Sequence, residues 1–382
     1  MILPSQRHLF SLPRELCYLN AAYMTPQPKA VEEAGLAATS RRARPWQLSE
    51  KDFFTDVERA RELFARLIGA APDDIAIIPA ASYGIAVAAR NLDIAPGQKI
   101  IVLHEQFPSH VYSWLRLAEE RGAVVETVMP PDSPGEGGWT EAVLAKIEKF
   151  GDAVAAVAIP NYHWANGAPV DLVRVGAAAR AVGAALVLDT SQSMGAAPLD
   201  LAAVDPDYMV AAGYKWLFCP YGISFLYVAP RHQGGVPLEE NWINRLGSGD
   251  FAGLVDYQPE YLPGARRFDM GERALFSGMP AAVAALQQLL DWGVENIAET
   301  LASHNRALAE IFAEAGYAVP EEDARGPHLM GVTAPGPLDA GFTARLKEKG
   351  VSVSIRGASI RVAPHLYNDQ EDFARLKAAL SG

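Results

Sequence analysis

The chain has 382 residues, half of them hydrophobic and a fifth charged, enough to bury a large core and better suited to two domains than to one. Its formal net charge of −12 argues against a nucleic-acid or anionic-membrane partner, and the short basic block from Arg41 to Arg44 reads as a solvated helix face. Two cysteines, Cys17 and Cys219, are too few for a disulfide framework or a zinc cluster, so no metal site and a reducing, cytoplasmic setting are expected; the opening residues lack the apolar core of a signal peptide, and no later apolar run reaches membrane-spanning length.

Residues 1–28 read as an extended arm with a short strand at CYLN and a turn at TPQPKA. Two helices follow, one after Pro28 and one with Ser49 as N-cap and Phe53, Val57, Leu63 and Leu67 on its apolar face. The runs DIAIIP, KIIVLH, AVVETVM, AVAAVAIP and AALVLD then alternate with helical stretches. That alternation predicts an α/β domain over residues 29–255, with a mostly parallel sheet covered on both faces and ligands at the carboxyl ends of its strands. The stretch 229–267 is rich in Gly, Pro and Asn and reads as loops crossing between domains. A long helix from Met279, with Gly293 marking a bend, leads into the strands HLMGVTAP, VSVSIRG and SIRVAP and a closing helix. Residues 256–382 are therefore expected to form a smaller α+β domain, with the arm near it.

Chemistry concentrates between Leu186 and Val228. One apolar run delivers Asp189, the next delivers Lys215, 26 positions on, and the turn CPYG leads into a third, ISFLYV. Alone, such an Asp is usually a turn or helix cap and such a Lys a surface residue. Together, a carboxylate and an amine from neighbouring strand ends are what pyridoxal phosphate (PLP) catalysis needs. The amine forms a Schiff base with the cofactor, and the carboxylate keeps the pyridine nitrogen protonated.

In LVLDTSQSMGAAPLDL and AAGYKWLFCPYGISFLYV the sequence resembles the class V aminotransferases, a group that includes cysteine desulfurases, kynureninases and isopenicillin N epimerase-like proteins. The matching residues are Asp189, Gln192, Tyr214 and Lys215. The resemblance implies the PLP-dependent fold type I: a large domain with a mostly parallel mixed sheet and a small α+β C-terminal domain. It implies PLP as cofactor, an amino acid as substrate, a homodimer, and Lys215 as the base that moves the Cα proton. Gln192 is expected near the cofactor phenolic oxygen or phosphate. Ser82 and Tyr83, at the start of a helix after strand IAIIPA, match the family's phosphate loop; a helix N-terminus favours an anion there. Phe107 matches the ring that stacks on the cofactor. In NYHWANGAPVDL, either His163 or Trp164 takes the place of the phenolic-oxygen contact, with Asn166, Gly167 and Asp171 completing the motif.

Arg361, in the strand SIRVAP before His-Leu-Tyr-Asn, matches the arginine that holds the substrate carboxylate by two parallel hydrogen bonds, with Arg356 close by in sequence. Asn20 and Ala21, in YLNAA, are substrate-contact candidates. The chain also departs from the family. No cysteine stands between 321 and 361, where a desulfurase carries its nucleophile, and Gly271, Glu272 and Arg273 replace the Gly-Thr pair that reaches a neighbouring subunit's phosphate. An aminotransferase-like enzyme is the leading expectation, with kynureninase-like cleavage or epimerisation as alternatives that share its first step, loss of the Cα proton; a cysteine desulfurase ranks below these, and a non-catalytic protein of the same fold last, because Asp189, Lys215 and Arg361 are all present. No G-x-G-x-x-G or G-x-x-x-x-G-K-S/T supports a nucleotide binder on the same fold.

Overall fold

The computed structural model describes residues 1–130, 138–338 and 341–381. A two-residue strand β1 (Cys17–Tyr18) precedes α1 (Lys29–Arg42) and α2 (Thr55–Ile68). The alternation then runs β2 (Ile75–Ile78), α3 (Ala81–Asn91), β3 (Lys99–Leu103), α4 (Tyr112–Arg121), β4 (Val124–Val128), α5 (Gly138–Phe150), β5 (Val154–Pro160), α6 (Leu172–Ala181), β6 (Ala185–Asp189), α7 (Leu201–Val204), β7 (Tyr208–Ala212) and β8 (Ser224–Val228). After a long irregular stretch come α8 (Met279–Trp292), α9 (Val294–Glu314), β9 (Met330–Thr333), α10 (Phe342–Glu348), β10 (Val351–Ser352), β11 (Ser354–Arg356), β12 (Ser359–Val362) and α11 (Gln370–Leu380).

Seven strands form one sheet in the order β2-β8-β7-β6-β5-β3-β4. Strand β8 is antiparallel to both of its neighbours, and the other pairings are parallel. Strands β7 and β8 are buried at every residue, which is why they read as continuous apolar runs rather than alternating ones. Leu186, Leu188 and Phe225 belong to the apolar layer on one face of the sheet, and Val187, Val210 and Leu226 to the layer on the other, where they meet Ile85 of α3 and Trp114 of α4. A third core joins Leu308 and Phe312 of α9, Val332 of β9, Ile360 and Val362 of β12 and Leu376 of α11 to Cys17 and Leu19 of the arm. The arm is tied in through the parallel pairing of β1 with β10.

One boundary differs from the sequence reading. Ser49 does not cap the second helix. It caps a short 3-10 turn, Glu50–Phe53, where its N–H and hydroxyl both meet the Asp52 carboxylate, and α2 begins at Thr55. Phe53 is thereby freed to meet Trp242, Phe251 and Phe276 edge-on, anchoring the irregular stretch to the large unit. The long helix is broken at Gly293, whose φ of 78° suits glycine, as the expected bend required. Helix α8 packs on α1 and α2, and its buried residues join the large unit's core. That core also takes in Ile297 and Leu301 at the start of α9, while Leu308 and Phe312 further along it join the third core, so we propose that the two units meet along α9.

Among the described residues no helix is long and apolar enough to cross a membrane, and no cluster of His, Cys, Asp and Glu could hold a metal ion.

Candidate active site

Parallel β6 and β7 both end at the same edge of the sheet. Asp189 is the last residue of β6. Lys215 follows β7 by three residues, on a turn whose backbone crowds Gly213: a Cβ there would stand 2.3 Å from the Ile223 carbonyl oxygen, so only glycine fits. Ser191 ties the two strand ends together, its hydroxyl accepting from the Ala212 N–H at 2.9 Å.

Lys215 and Asp189 border one cavity of about 190 Å3 with Ala80, Ala81, Ser82, Phe107, Ser109, Tyr214 and Tyr221. Burial lowers the Lys215 amine to about 8; Asp189 opposes the shift, while Arg361 and Arg356 add to it. The amine lies 5.3 Å from the Phe107 ring centre and 5.8 Å from that of Tyr214. Asp189 Oδ1 accepts from the Ser191 N–H at 2.9 Å, and Oδ2 has no protein donor among the described residues. Helix α3 begins at this cavity with Ala80 as its N-cap, so no side chain satisfies its first N–H groups.

This donor set fits pyridoxal phosphate. The amine can carry the aldehyde, the free carboxylate oxygen can accept from a protonated ring nitrogen, the uncapped amides at Ala81 and Ser82 can receive the phosphate, and Phe107 offers an aromatic face.

Some expected residues do not meet there. Tyr83 turns toward the core beneath α3, where burial and nearby Glu239 raise its phenol. Its neighbour Ser82 faces the cavity. His163 and Trp164 part company. The Trp164 ring borders a small second cavity with Lys215, Asp189 and Phe107, while His163 stacks on Trp139 at 5.4 Å, with Nε2 3.0 Å from the His104 carbonyl oxygen. Gln192 borders the small cavity, but its side-chain amide is engaged: Nε2 donates to the Ala22 carbonyl oxygen at 3.2 Å and Oε1 accepts from Trp216 Nε1 at 3.2 Å. That bond holds the arm over the site. Asn20 is buried, with Oδ1 unpaired, on the arm segment that bridges to Ala363 just beyond β12.

Trp164 links the two units. Its Nε1 donates to the Glu105 carbonyl oxygen at 2.7 Å, its ring meets Phe107 edge-on at 5.4 Å, and its own carbonyl oxygen accepts from the Arg361 guanidinium at 3.0 Å. That hydrogen bond is the only one Arg361 makes among the described residues, and no carboxylate neutralises it. Burial, reinforced by Arg356, lowers it to about 9.

Arg273 does not point outward. It is buried against Asp269 and Asn244. Cys17 and Cys219 are buried, and burial raises both thiols.

His110 carried no sequence signal beyond its place in FPSHVYSW. It is fully buried beside the small cavity with both ring nitrogens unpaired, and burial, opposed by Asp189, lowers it to about 4. Ser109 and Tyr221 were missed as well, because nothing in their local pattern distinguishes a cavity wall from an ordinary turn.

Comparison with known proteins adds the following. The model of the family described as aminotransferase class-V matches residues 18–376. The chain is 28% identical over 328 residues to the uncharacterized aminotransferase YcbU of Bacillus subtilis, covering 84% of this chain and 82% of that protein. It is 24% identical over 333 residues to the isopenicillin N epimerase of Streptomyces clavuligerus, covering 84% and 83%. Its fold is similar to that of the cystine C-S lyase C-DES, solved in complex with its reaction product cysteine persulfide, with a TM-score of 0.85 at 19% identity over 96% of this chain and 98% of that one.

Proposed function

This chain belongs to the aminotransferase class-V family, which depends on pyridoxal phosphate, and from that premise we propose that it is a transaminase of amino acids with Lys215 as the residue that carries the cofactor and moves the Cα proton. The observation that carries the reading is the buried Lys215 amine in one cavity with an Asp189 oxygen that has no donor among the described residues; burial there also lowers the amine to about 8. When bound, the cofactor supplies an electron sink for the substrate Cα. The chain's own residues do the rest. Asp189 would hold a proton at the ring nitrogen by a charge-assisted hydrogen bond, and the α3 amides with Ser82 would take the phosphate. Arg361 orients the substrate through its α-carboxylate. Lys215, whose amine burial brings down to about 8 and so within reach of the neutral form, would take a proton from one carbon and could return it to another.

Transamination needs a single base of this kind. A two-base epimerisation would need in addition an acid on the opposite face of the Cα; the Tyr214 phenol at the cavity wall, which burial raises so that it keeps its proton, is the group that would have to serve, and racemisation with Cα exchange is the readout that would reveal it. A desulfurase needs an accessible thiolate, and both thiols here are buried and raised. A homodimer is part of the proposal: Tyr221, on the cavity wall, is 76% exposed in the single chain, a large aromatic surface for a partner to cover.

The test is direct. Protein incubated with PLP should turn yellow, and borohydride reduction should fix the cofactor on a peptide containing Lys215. A panel of amino acids should then yield keto acids, and the reaction should be reversed by an added keto acid. Racemisation with Cα deuterium exchange would assign epimerisation instead, release of a side-chain fragment would assign lyase chemistry, and protein that takes up no cofactor would remove the proposal.

A further inference from the structure

Arg356 is a second cation over the same site, and no carboxylate of the described chain neutralises it. In the β11–β12 hairpin Ser354 stands opposite Arg361, and Arg356 opposite Ser359. Directly opposed residues share a face and alternate residues return to it, so Arg356 and Arg361 project from one face as diagonal neighbours. Gly357, with φ at 56°, makes the tight turn that keeps this register. Both arginines converge on Trp164: the Arg356 guanidinium sits 5.7 Å from the ring centre, and Arg361 donates to the carbonyl oxygen. Apart from that ring, Arg356 has one polar contact among the described residues, to its neighbouring Ile355 carbonyl oxygen at 2.7 Å.

Like charges side by side on a sheet face are destabilising, and Arg356 adds to the lowering that burial imposes on Arg361 and Lys215. The chain has 45 acidic residues against 33 basic ones, so a counter-ion was not scarce. A single α-carboxylate answers one of the two guanidiniums and leaves the other without a partner.

Resting on the reading of this cavity as an amino-acid site, we propose that the substrate carries a second anionic group, a side-chain carboxylate or phosphate, and that Arg356 receives it while Arg361 holds the α-carboxylate. The site is then specific for acidic amino acids. A planar guanidinium over an indole can turn its fork to either anion without moving the strand.

Two measurements on the PLP-loaded enzyme test this. In turnover, kcat/KM for glutamate, 2-aminoadipate or O-phosphoserine should exceed that for glutamine and norleucine by about 30-fold or more, the scale of a charge-assisted bidentate contact. Whether a carboxylate or O-phosphoserine leads that series identifies the anion. Arg356→Gln should bring the ratio toward unity, and Arg356→Lys should restore part of it. In binding, which needs no turnover, calorimetry should find glutarate and adipate about tenfold tighter than valerate and hexanoate, with the difference lost in Arg356→Gln. Equal binding of the two classes by the wild-type protein, or a ratio unchanged by Arg356→Gln, overturns the proposal. Failure to take up PLP would refute the reading of the cavity instead, and the dicarboxylate comparison, run on that protein, would still decide the role of Arg356.

Discussion

Two groups of buried charge in this molecule are alike in burial and opposite in pairing. Under the irregular stretch, Arg61, Asp269 and Arg273 are 0%, 1% and 0% exposed, and each is answered: Asp269 receives Arg61 at 2.7 Å, Arg273 and the Ile77 N–H, while Arg61 also meets Glu58. At the other site Lys215, Asp189 and Arg361 are 6%, 8% and 2% exposed, yet no ion pair joins any of them to a described residue. Burying a charge costs several kcal/mol unless a partner offsets it. In the first group the chain supplies the partners and gains a fixed loop. In the second the chain leaves the cost standing, which is the signature of groups reserved for a ligand.

The comparison can be broken by mutation. Lys215→Ala should lower turnover by on the order of 10^4-fold, the scale of removing a covalent catalytic group, while the melting temperature of the cofactor-free protein stays level or rises, because an unpaired buried amine has gone. Marked destabilisation by Lys215→Ala would show that the amine is structurally paired. Asp269→Ala should do the reverse. It strands two buried guanidiniums, so denaturant unfolding should show a loss of about 3–5 kcal/mol, with little change in the turnover of whatever protein remains folded.

Asp189→Asn can still touch a ring nitrogen but cannot hold it protonated, so turnover should fall by about two orders of magnitude or more while cofactor binding partly survives. Stopped-flow rates under saturating PLP would expose a smaller effect and with it a carbanion that does not need a cationic ring.

The same amine makes a pH prediction. Its folded pKa, about 8, lies below the ordinary value of 10.5, so between these limits the unfolded chain binds more protons than the folded one. Stability of the cofactor-free protein should therefore rise as pH climbs from 8 to 10.5, by up to about 3 kcal/mol from this group. Lys215→Met should flatten that rise. The smallest effect belongs to the thiols: Cys17→Ala with Cys219→Ala should leave turnover within about threefold of wild type and should not alter any persulfide signal, since neither sulfur can reach the site.

Local pattern carried the alternating large unit, the ends of β6 and β7, and the pairing of Asp189 with Lys215, because a buried parallel strand is a short apolar run and its last residue lands at the ligand edge whatever the rest of the chain does. It also carried the bend at Gly293. It failed at Ser49, where a 3-10 turn and an α-helix start with the same capping chemistry, and it left open which core α8 joins, because an apolar helix face says that it is buried but not against what. Tertiary structure alone decided which of His163 and Trp164 faces Lys215, since a one-residue change of direction at the end of β5 exchanges them. It alone placed Arg356 on the face of Arg361, because that depends on which residues of a hairpin stand opposite, and it alone brought both onto Trp164, nearly two hundred residues earlier in the chain. A sequence names the groups that can carry charge; only the packed fold determines which of them remain without a partner.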